Sequence, residues 1–170
     1  CVNNDERVDA YVAKFDSVGN KLWSSNFIVG SGMQKTAVTT DSDGNIIVAA
    51  SIWNGTNGDF YVAKFSADGT QKLWEYTYDG GNNDMLNDVG VDSLGNIILT
   101  GSTGGYWPDS HMLTVKLNPA AETGGEVVWA NVYNEDGTGE GYTVEVDADN
   151  NILIRGAIIT PSDDHSYRYI

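Results

Sequence analysis

One eight-residue pattern occurs three times in this chain and constrains its fold more than any other feature. It reads Asp-Ser-Asp-Gly-Asn-Ile-Ile-Val at residues 41–48, Asp-Ser-Leu-Gly-Asn-Ile-Ile-Leu at 92–99 and Asp-Ala-Asp-Asn-Asn-Ile-Leu-Ile at 147–154. Each copy places a carboxylate before a short polar turn, in which Gly or Asn can adopt positive φ, and then a run of aliphatic residues. This order is typical of a hairpin between two strands, and its recurrence indicates a repeat array.

The full repeat unit is about fifty residues long and predicts four short strands. The first strand is represented by residues 9–15, 59–65 and, more loosely, 111–117. The second contains a tryptophan, and the third ends at the aspartate that opens the turn; the fourth is the aliphatic run. The repeated tryptophans are Trp23, Trp74 and Trp129, and the repeated aspartates are Asp41, Asp92 and Asp147.

Four strands per unit, with no helical periodicity anywhere, predict an all-β chain of β-propeller blades, each a four-stranded antiparallel sheet. A leader at residues 1–8 precedes repeats at 9–170, with copies starting near residues 9, 59, 111 and 165. If the tryptophan strand is the outer one, residues 36–78 and 88–133 form complete blades, flanked by partial blades. The total is about three to three and a half blades, whereas rings close with about four to eight. We therefore expect a fragment of a longer propeller, and residues 167–170 read as a strand broken off early. The alternative is closure by self-association.

The repeat resembles the SBBP-type β-propeller repeat of bacterial secreted and surface proteins. The resemblance rests on an aspartate and an aromatic before Val-Ala-Lys-Phe, a Gly-Asn turn, Leu-Trp, and then Val-Asp-Ser-x-Gly-Asn-Ile-Ile with a small-residue end. It covers roughly residues 9–164, strongly in the second copy and less so in the third, where the turn after residue 117 is longer. The resemblance implies a propeller fold and a cell-surface setting, and it offers no shared catalytic residues.

The charge of the chain excludes several classes of partner. With 24 acidic and 9 basic residues the formal net charge is −15, which repels nucleic acid and anionic lipid. A negative charge of this size either keeps a protein soluble or allows it to bind divalent cations, and we favour the first interpretation. No apolar stretch is long enough to span a membrane.

The single cysteine, Cys1, followed by a polar leader, is typical of a bacterial lipoprotein; the alternative is a fragment that happens to begin there. We therefore expect an extracellular or surface protein whose membrane contact is at most an N-terminal lipid.

Tryptophans at a fixed place in each repeat are expected to pack against the adjacent blade. The loop aromatics differ, because variable loops on a rigid scaffold often carry binding residues. They form our candidate ligand-binding set, with a glycan or a protein as the expected ligand; the alternative is that they fold back onto their own blade. The set comprises Trp53, Asn54, Tyr106, Trp107 and Asp109.

Neither a metal site nor a catalytic centre is predicted. The Asp-rich turns offer oxygen ligands at alternate positions, but Leu94 replaces a carboxylate in the second turn, so backbone geometry explains these turns better than calcium does. His111 and His165 occupy comparable repeat positions, and the sequence shows no nucleophile with a matching base. We expect no cofactor and a non-enzymatic scaffold or binding module. The alternative is a propeller hydrolase or lyase that acts on polysaccharide.

Overall fold

The computed structural model describes residues 10–27, 35–105, 109–119, 125–133, 138–159 and 168–169. Throughout these ranges the chain forms β-strands joined by turns and bends, and they contain no helix. Accordingly, none of the described residues belongs to a helix that could cross a membrane. The predicted all-β class is confirmed.

Each strand is one leg of an antiparallel hairpin. The described residues form β1 (Ala10–Phe15), β2 (Lys21–Phe27), β3 (Thr36–Thr40), β4 (Ile46–Trp53), β5 (Gly58–Phe65), β6 (Lys72–Tyr78), β7 (Met85–Val91), β8 (Ile97–Gly104), β9 (Ser110–Asn118), β10 (Glu126–Tyr133), β11 (Thr138–Val146), β12 (Ile152–Ile159) and β13 (Arg168–Tyr169).

The strands form four sheets in chain order. The first sheet pairs β1 with β2, the second has the order β3-β4-β5-β6, the third β7-β8-β9-β10, and the fourth β11-β12-β13. Two complete four-stranded antiparallel sheets between two smaller ones are what the repeat predicts. In both complete sheets the tryptophan strand, β6 or β10, is the outermost strand, as expected.

The opening strands of the third and fourth sheets begin earlier than predicted. β7 starts at Met85 rather than residue 88, and its register with β8 shifts between Leu86 and Asp88, which marks a bulge. β11 starts at Thr138 and includes Gly141, where an added Cβ would lie 2.3 Å from Oγ1 of Thr100. Asn87 lies at the bulge, and Gly141 permits the close approach between sheets.

The repeated Asp-x-x-Gly-Asn turns have the predicted backbone geometry. The residue before the final asparagine has positive φ in all three copies: 78° at Gly44, 82° at Gly95 and 63° at Asn150. In each turn the N–H of this residue donates to the carbonyl of the opening aspartate, at about 3.0 Å. A side chain with a Cβ is disfavoured at positive φ, which explains the choice of Gly or Asn.

The core lies between the stacked sheets. The aliphatic runs that open β4 and β8 are buried on both faces, as their continuous patterns predict. β12 differs, because Leu153 is exposed and the strand alternates in burial. No sheet of the described residues covers that face of β12. Each fully buried aliphatic side chain contributes about 1.5–3 kcal/mol, so the two inner runs supply much of the stability.

The sheets stack through their opening strands. β7 packs on β3, β4 and β5 of the second sheet, and β11 packs on β7, β8 and β9 of the third. The first sheet joins the stack through Phe27, whose ring centroid lies 3.9 Å from that of Phe65. The outer strands also take part, since the Trp23 ring lies against Gly69 in the β5–β6 turn.

Candidate functional site

A cleft of about 320 Å³ opens where β3, β7 and β11 begin, so the second, third and fourth sheets all contribute to it. Its lining combines amides, hydroxyls, one aromatic ring and one ion pair. The described residues that line it include Lys35, Asn83, Met85, Ser102, Glu140 and Tyr142.

A hydrogen-bonded network beside this cleft ties the three sheets together. Nζ of Lys35, immediately before β3, lies 2.5 Å from Oδ1 of Asn87 on β7 and 3.2 Å from Oε1 of Glu140 on β11. Nδ2 of Asn87 also donates to Oε1 of Glu140 at 2.8 Å and to the Gly141 carbonyl at 2.7 Å. Asn87 of the third sheet therefore links Lys35, next to the second sheet, to Glu140 of the fourth sheet. These hydrogen bonds hold this side of the cleft in a fixed geometry.

The repeated turn aspartates have structural partners for both carboxylate oxygens. In Asp92, Oδ1 accepts the Leu94 and Asn96 N–H groups, and Oδ2 accepts the Asn96 side-chain amide. Asp41 and Asp147 repeat this pattern with the amides of their own turns. These hydrogen bonds close the hairpin turns that the three aspartates open.

Two of these aspartates also form ion pairs with lysines on the third strand of their sheet. Nζ of Lys64 lies 2.6 Å from Oδ2 of Asp41, and Nζ of Lys116 lies 2.8 Å from Oδ2 of Asp92. Burial alone would raise the pKa of both carboxyl groups, but the hydrogen bonds from the lysine and the turn asparagine outweigh it and lower each pKa. Both turns are thereby fixed to the middle of their sheet.

Two of the three repeated tryptophans pack against neighbouring clusters. Trp23 packs against a cluster that contains residues of the second sheet, and Trp74 against the cluster between the second and third sheets. Trp129, on the outer strand of the third sheet, is exposed. The difference follows the stacking, because no described strand lies over Trp129.

The candidate ligand-binding residues fall in separate loops. Trp53 ends β4 with an exposed side chain, and Asn54 begins the following turn. Oδ1 of Asn54 accepts the N–H groups of Thr56 and Asn57, so this side chain stabilises its own turn. Asp109 is exposed before β9. Tyr106 and Trp107 lie outside the described residues, as do Cys1 and His165.

The structure brings together three aspartates that the sequence analysis did not select. One carboxylate oxygen each from Asp59, Asp79 and Asp84 lies within 4.8 Å of the others. Asp59 is the second residue of β5, whereas Asp79 and Asp84 bound the Gly- and Asn-rich link from β6 to β7. The link returns to the start of β5, because the Asp84 N–H donates to the Gly58 carbonyl at 2.7 Å.

Two of the three carboxylates are buried. Nδ2 of Asn54 donates to Oδ2 of Asp59 at 2.9 Å, and the Gly80 N–H donates to Oδ2 of Asp84 at 2.8 Å. Oδ1 of Asp59 and Oδ1 of Asp84 are buried without a hydrogen-bond partner. Burial raises the pKa of both groups. A hydrogen bond from Asn54 opposes this rise at Asp59, and hydrogen bonds from Thr103 and Gly80 oppose it at Asp84. The neighbouring carboxylates raise the pKa of both groups further.

Sequence reasoning missed this cluster because its members belong to different repeat features. Asp59 lies at the start of a predicted strand, whereas residues 79–83 form a Gly- and Asn-rich link outside the predicted strands. The available signal was an acidic residue at both ends of a short Gly- and Asn-rich segment, Asp-Gly-Gly-Asn-Asn-Asp at residues 79–84. Nothing local in the sequence places that segment beside Asp59.

Comparison with known proteins adds no family assignment. A scan against protein-family models found no matching family. A search of the curated proteins likewise found no significant relative.

Proposed function

We propose that this chain is part of a β-propeller in a bacterial secreted or surface protein and that it serves as a non-enzymatic binding module. The sheet stacking supports the propeller, because each complete sheet is a four-stranded meander whose opening strand packs on the face of the preceding sheet. In a propeller, the opening strand of each blade lies nearest the central axis, beside the opening strands of the adjacent blades. β7 contacts both β3 and β11, which agrees with this arrangement. The resemblance to SBBP-type repeats points to the same fold and setting.

The observation that carries the binding role is the cleft where β3, β7 and β11 begin. Loops and strand ends at one end of a rigid scaffold are a common position for ligand sites. The hydroxyls of Ser102 and Ser110, the Asn83 amide and the Tyr142 ring suit a glycan or an extended peptide, both of which need many hydrogen bonds and one flat apolar contact. The Trp53 loop lies at the same end, because Nδ2 of Asn57 donates to the Asn82 carbonyl, next to Asn83.

The lining chemistry favours binding over hydrolysis of a polysaccharide. Most glycoside hydrolases place two carboxylates on either side of the scissile bond. Among the described residues that line the cleft, Glu140 is the single carboxylate, and it is bonded to Lys35 and Asn87. The carboxylate held in this network stabilises the wall of the cleft, and no second carboxylate faces it among these lining residues.

A glycan array followed by analysis of the retained sugar tests the proposal. We expect a bound glycan to be recovered unchanged and Tyr142→Ala to weaken its binding about two- to tenfold, since such a ring contact contributes about 0.5–1.5 kcal/mol. Trp129→Ala is the matched control, because Trp129 is an exposed aromatic on an outer strand, away from the cleft. Recovery of shortened sugar would instead support the hydrolase or lyase. Equal loss in both variants would contradict the assignment of the cleft.

Surface placement and lipidation are tested on the native cell. We expect the protein to be accessible to an added protease and, if Cys1 carries a lipid, to partition into detergent with a Cys1→Ser variant remaining in the aqueous phase. Protection from protease in intact cells would contradict the surface location.

A further inference from the structure

The buried acidic cluster formed by Asp59, Asp79 and Asp84 is not explained by the fold. Buried carboxylates in proteins are normally paired with a cation or fully hydrogen-bonded. The ion pairs of the described residues are Lys35–Glu140, Lys64–Asp41, Lys72–Glu75 and Lys116–Asp92, and none of them includes this cluster. Three acidic groups thus meet without a basic partner.

Two oxygens in the cluster have no hydrogen-bond partner although their residues are almost fully enclosed. Asp59 is 3% exposed and Asp84 is 0% exposed, and Oδ1 of each is unsatisfied. An unsatisfied buried polar atom is uncommon, and removing a charged group from water is more costly than removing a neutral one. The expected compensation is a positive charge that binds both carboxylates.

The backbone around the cluster makes room for this arrangement. A Cβ on Gly80 would lie 2.7 Å from Oδ2 of Asp84, so only glycine lets that carboxylate approach the link so closely. Gly81 has a φ of 80° and donates its N–H to Oδ1 of Asp79 at 2.7 Å. The two glycines therefore turn the link so that its first and last residues face the same space.

The cluster is not common to all copies of the repeat. In the third sheet, the residue equivalent to Asp59 is His111. Lys64 and Lys116 are equivalent because they pair with Ile47 and Ile98, the second residues of the two aliphatic runs. Asp59 and His111 each lie five residues before their lysine. The turn aspartates recur because every hairpin needs them, whereas this carboxylate is replaced in the third sheet. Asp9 occupies the equivalent position in the first copy of the repeat, but the replacement by His111 in the third copy indicates that the shared fold does not require a carboxylate there.

We propose that Asp59, Asp79 and Asp84 bind a calcium ion between the second and third sheets. Calcium takes about six to eight oxygen ligands from carboxylates, carbonyls and water, and it tolerates the irregular geometry of a loop. A set of three carboxylates without His or Cys suits this hard cation better than zinc. The ion fixes the β6–β7 link to the start of β5, beside Asn83 in the wall of the cleft. This departs from the sequence-based expectation of no metal, and it concerns residues other than the Asp-rich turns.

Calorimetric titration of chelator-treated protein with CaCl2 tests the proposal. We expect one calcium ion per chain, and a tenfold or greater loss of affinity in Asp59→Asn and Asp84→Asn, because each removes a charged ligand. Asp43→Asn and Asp149→Asn are the matched controls: both remove one charge from exposed positions in the Asp-rich turns, and their affinity should stay within about twofold of the wild type. Asp79→Asn changes an exposed residue and provides a third ligand variant that leaves the buried pair intact.

Thermal unfolding gives a second readout. Calcium should raise the melting temperature of the wild-type protein and of both controls more than magnesium does, and the rise should be reduced or lost in the three ligand variants. Absence of binding and of any shift up to about 10 mM calcium, beyond the usual range for extracellular sites, overturns the proposal. So does unchanged calcium affinity in all three ligand variants, or an equal loss in the controls. Failure of this test leaves the glycan-binding proposal standing, since that proposal is tested by Tyr142→Ala.

Discussion

Replacing Lys116 with methionine would test how much the fold depends on the ion pairs that fix its hairpin turns. Three lysine–carboxylate pairs in this chain have similar contact distances, 2.6 to 2.8 Å, but very different burial. The exposed fraction of the carboxylate side chain is 0% for Asp92, 5% for Asp41 and 49% for Glu75. Burial is therefore the main variable in the comparison.

The expected loss of stability depends on how deeply the carboxylate that remains after each lysine is replaced is buried. Lys116→Met leaves the Asp92 carboxylate buried without a counter-charge, a situation that typically costs about 3–5 kcal/mol. Three hydrogen bonds from its own turn remain, so we expect a loss of about 2–3 kcal/mol in the free energy of unfolding. Lys64→Met should cost slightly less, about 1.5–2 kcal/mol, and Lys72→Met at most about 0.5 kcal/mol because both partners are exposed.

Urea unfolding followed by tryptophan fluorescence measures these differences, and equal m-values confirm that the variants expose the same surface. The double variant Asp92→Asn with Lys116→Met should recover part of the loss, since it removes the uncompensated charge as well. A loss below about 1 kcal/mol in Lys116→Met, or equal losses in the buried and exposed pairs, would refute the reasoning.

Three further outcomes follow from the structure. Gly95→Ala should lower stability by about 1–2 kcal/mol, because alanine is strained at a φ of 82°, whereas Asn150→Gly should change it by less than about 0.5 kcal/mol; parallel urea unfolding distinguishes them. Trp74→Leu should cost about 2 kcal/mol and Trp129→Leu less than about 1 kcal/mol in the same assay, and the reverse order would contradict the packing described for the outer strands. The pKa of Asp92 is below its ordinary value of 3.8 in the folded protein, so its contribution is present above that pH and lost as the pH falls below it. Acid unfolding should therefore be shallower in Asp92→Asn, and an unchanged acid profile would show that this group does not titrate with folding.

The sequence determined the local structure. Each hairpin turn needs a carboxylate to accept backbone N–H groups and a residue that tolerates positive φ, and both requirements are met by neighbours in the chain. The aliphatic runs of β4 and β8 are continuous because a strand between two sheets is buried on both faces. Patterns of this kind act over a few residues, so the order of strands and the two complete four-stranded sheets could be predicted.

The residues that join one sheet to the next could not be predicted from local sequence patterns. β7 begins at Met85 rather than at residue 88, because Leu86 is buried against neighbouring strands. Asn87 itself proved to be the centre of the network that joins Lys35 to Glu140. Bulges and interlocking polar side chains depend on which strands become neighbours, and the local pattern does not encode this.

The calcium proposal and the binding cleft depend entirely on tertiary structure. Asp59 is separated from Asp79 and Asp84 by twenty or more residues, and nothing in the sequence indicates that the three lie together. Their carboxylates meet because β5, β6 and the link to β7 fold back on one another, and Asp59 and Asp84 become buried only in the folded protein. Turn chemistry is a property of consecutive residues, whereas burial and charge crowding arise only when distant segments share one space.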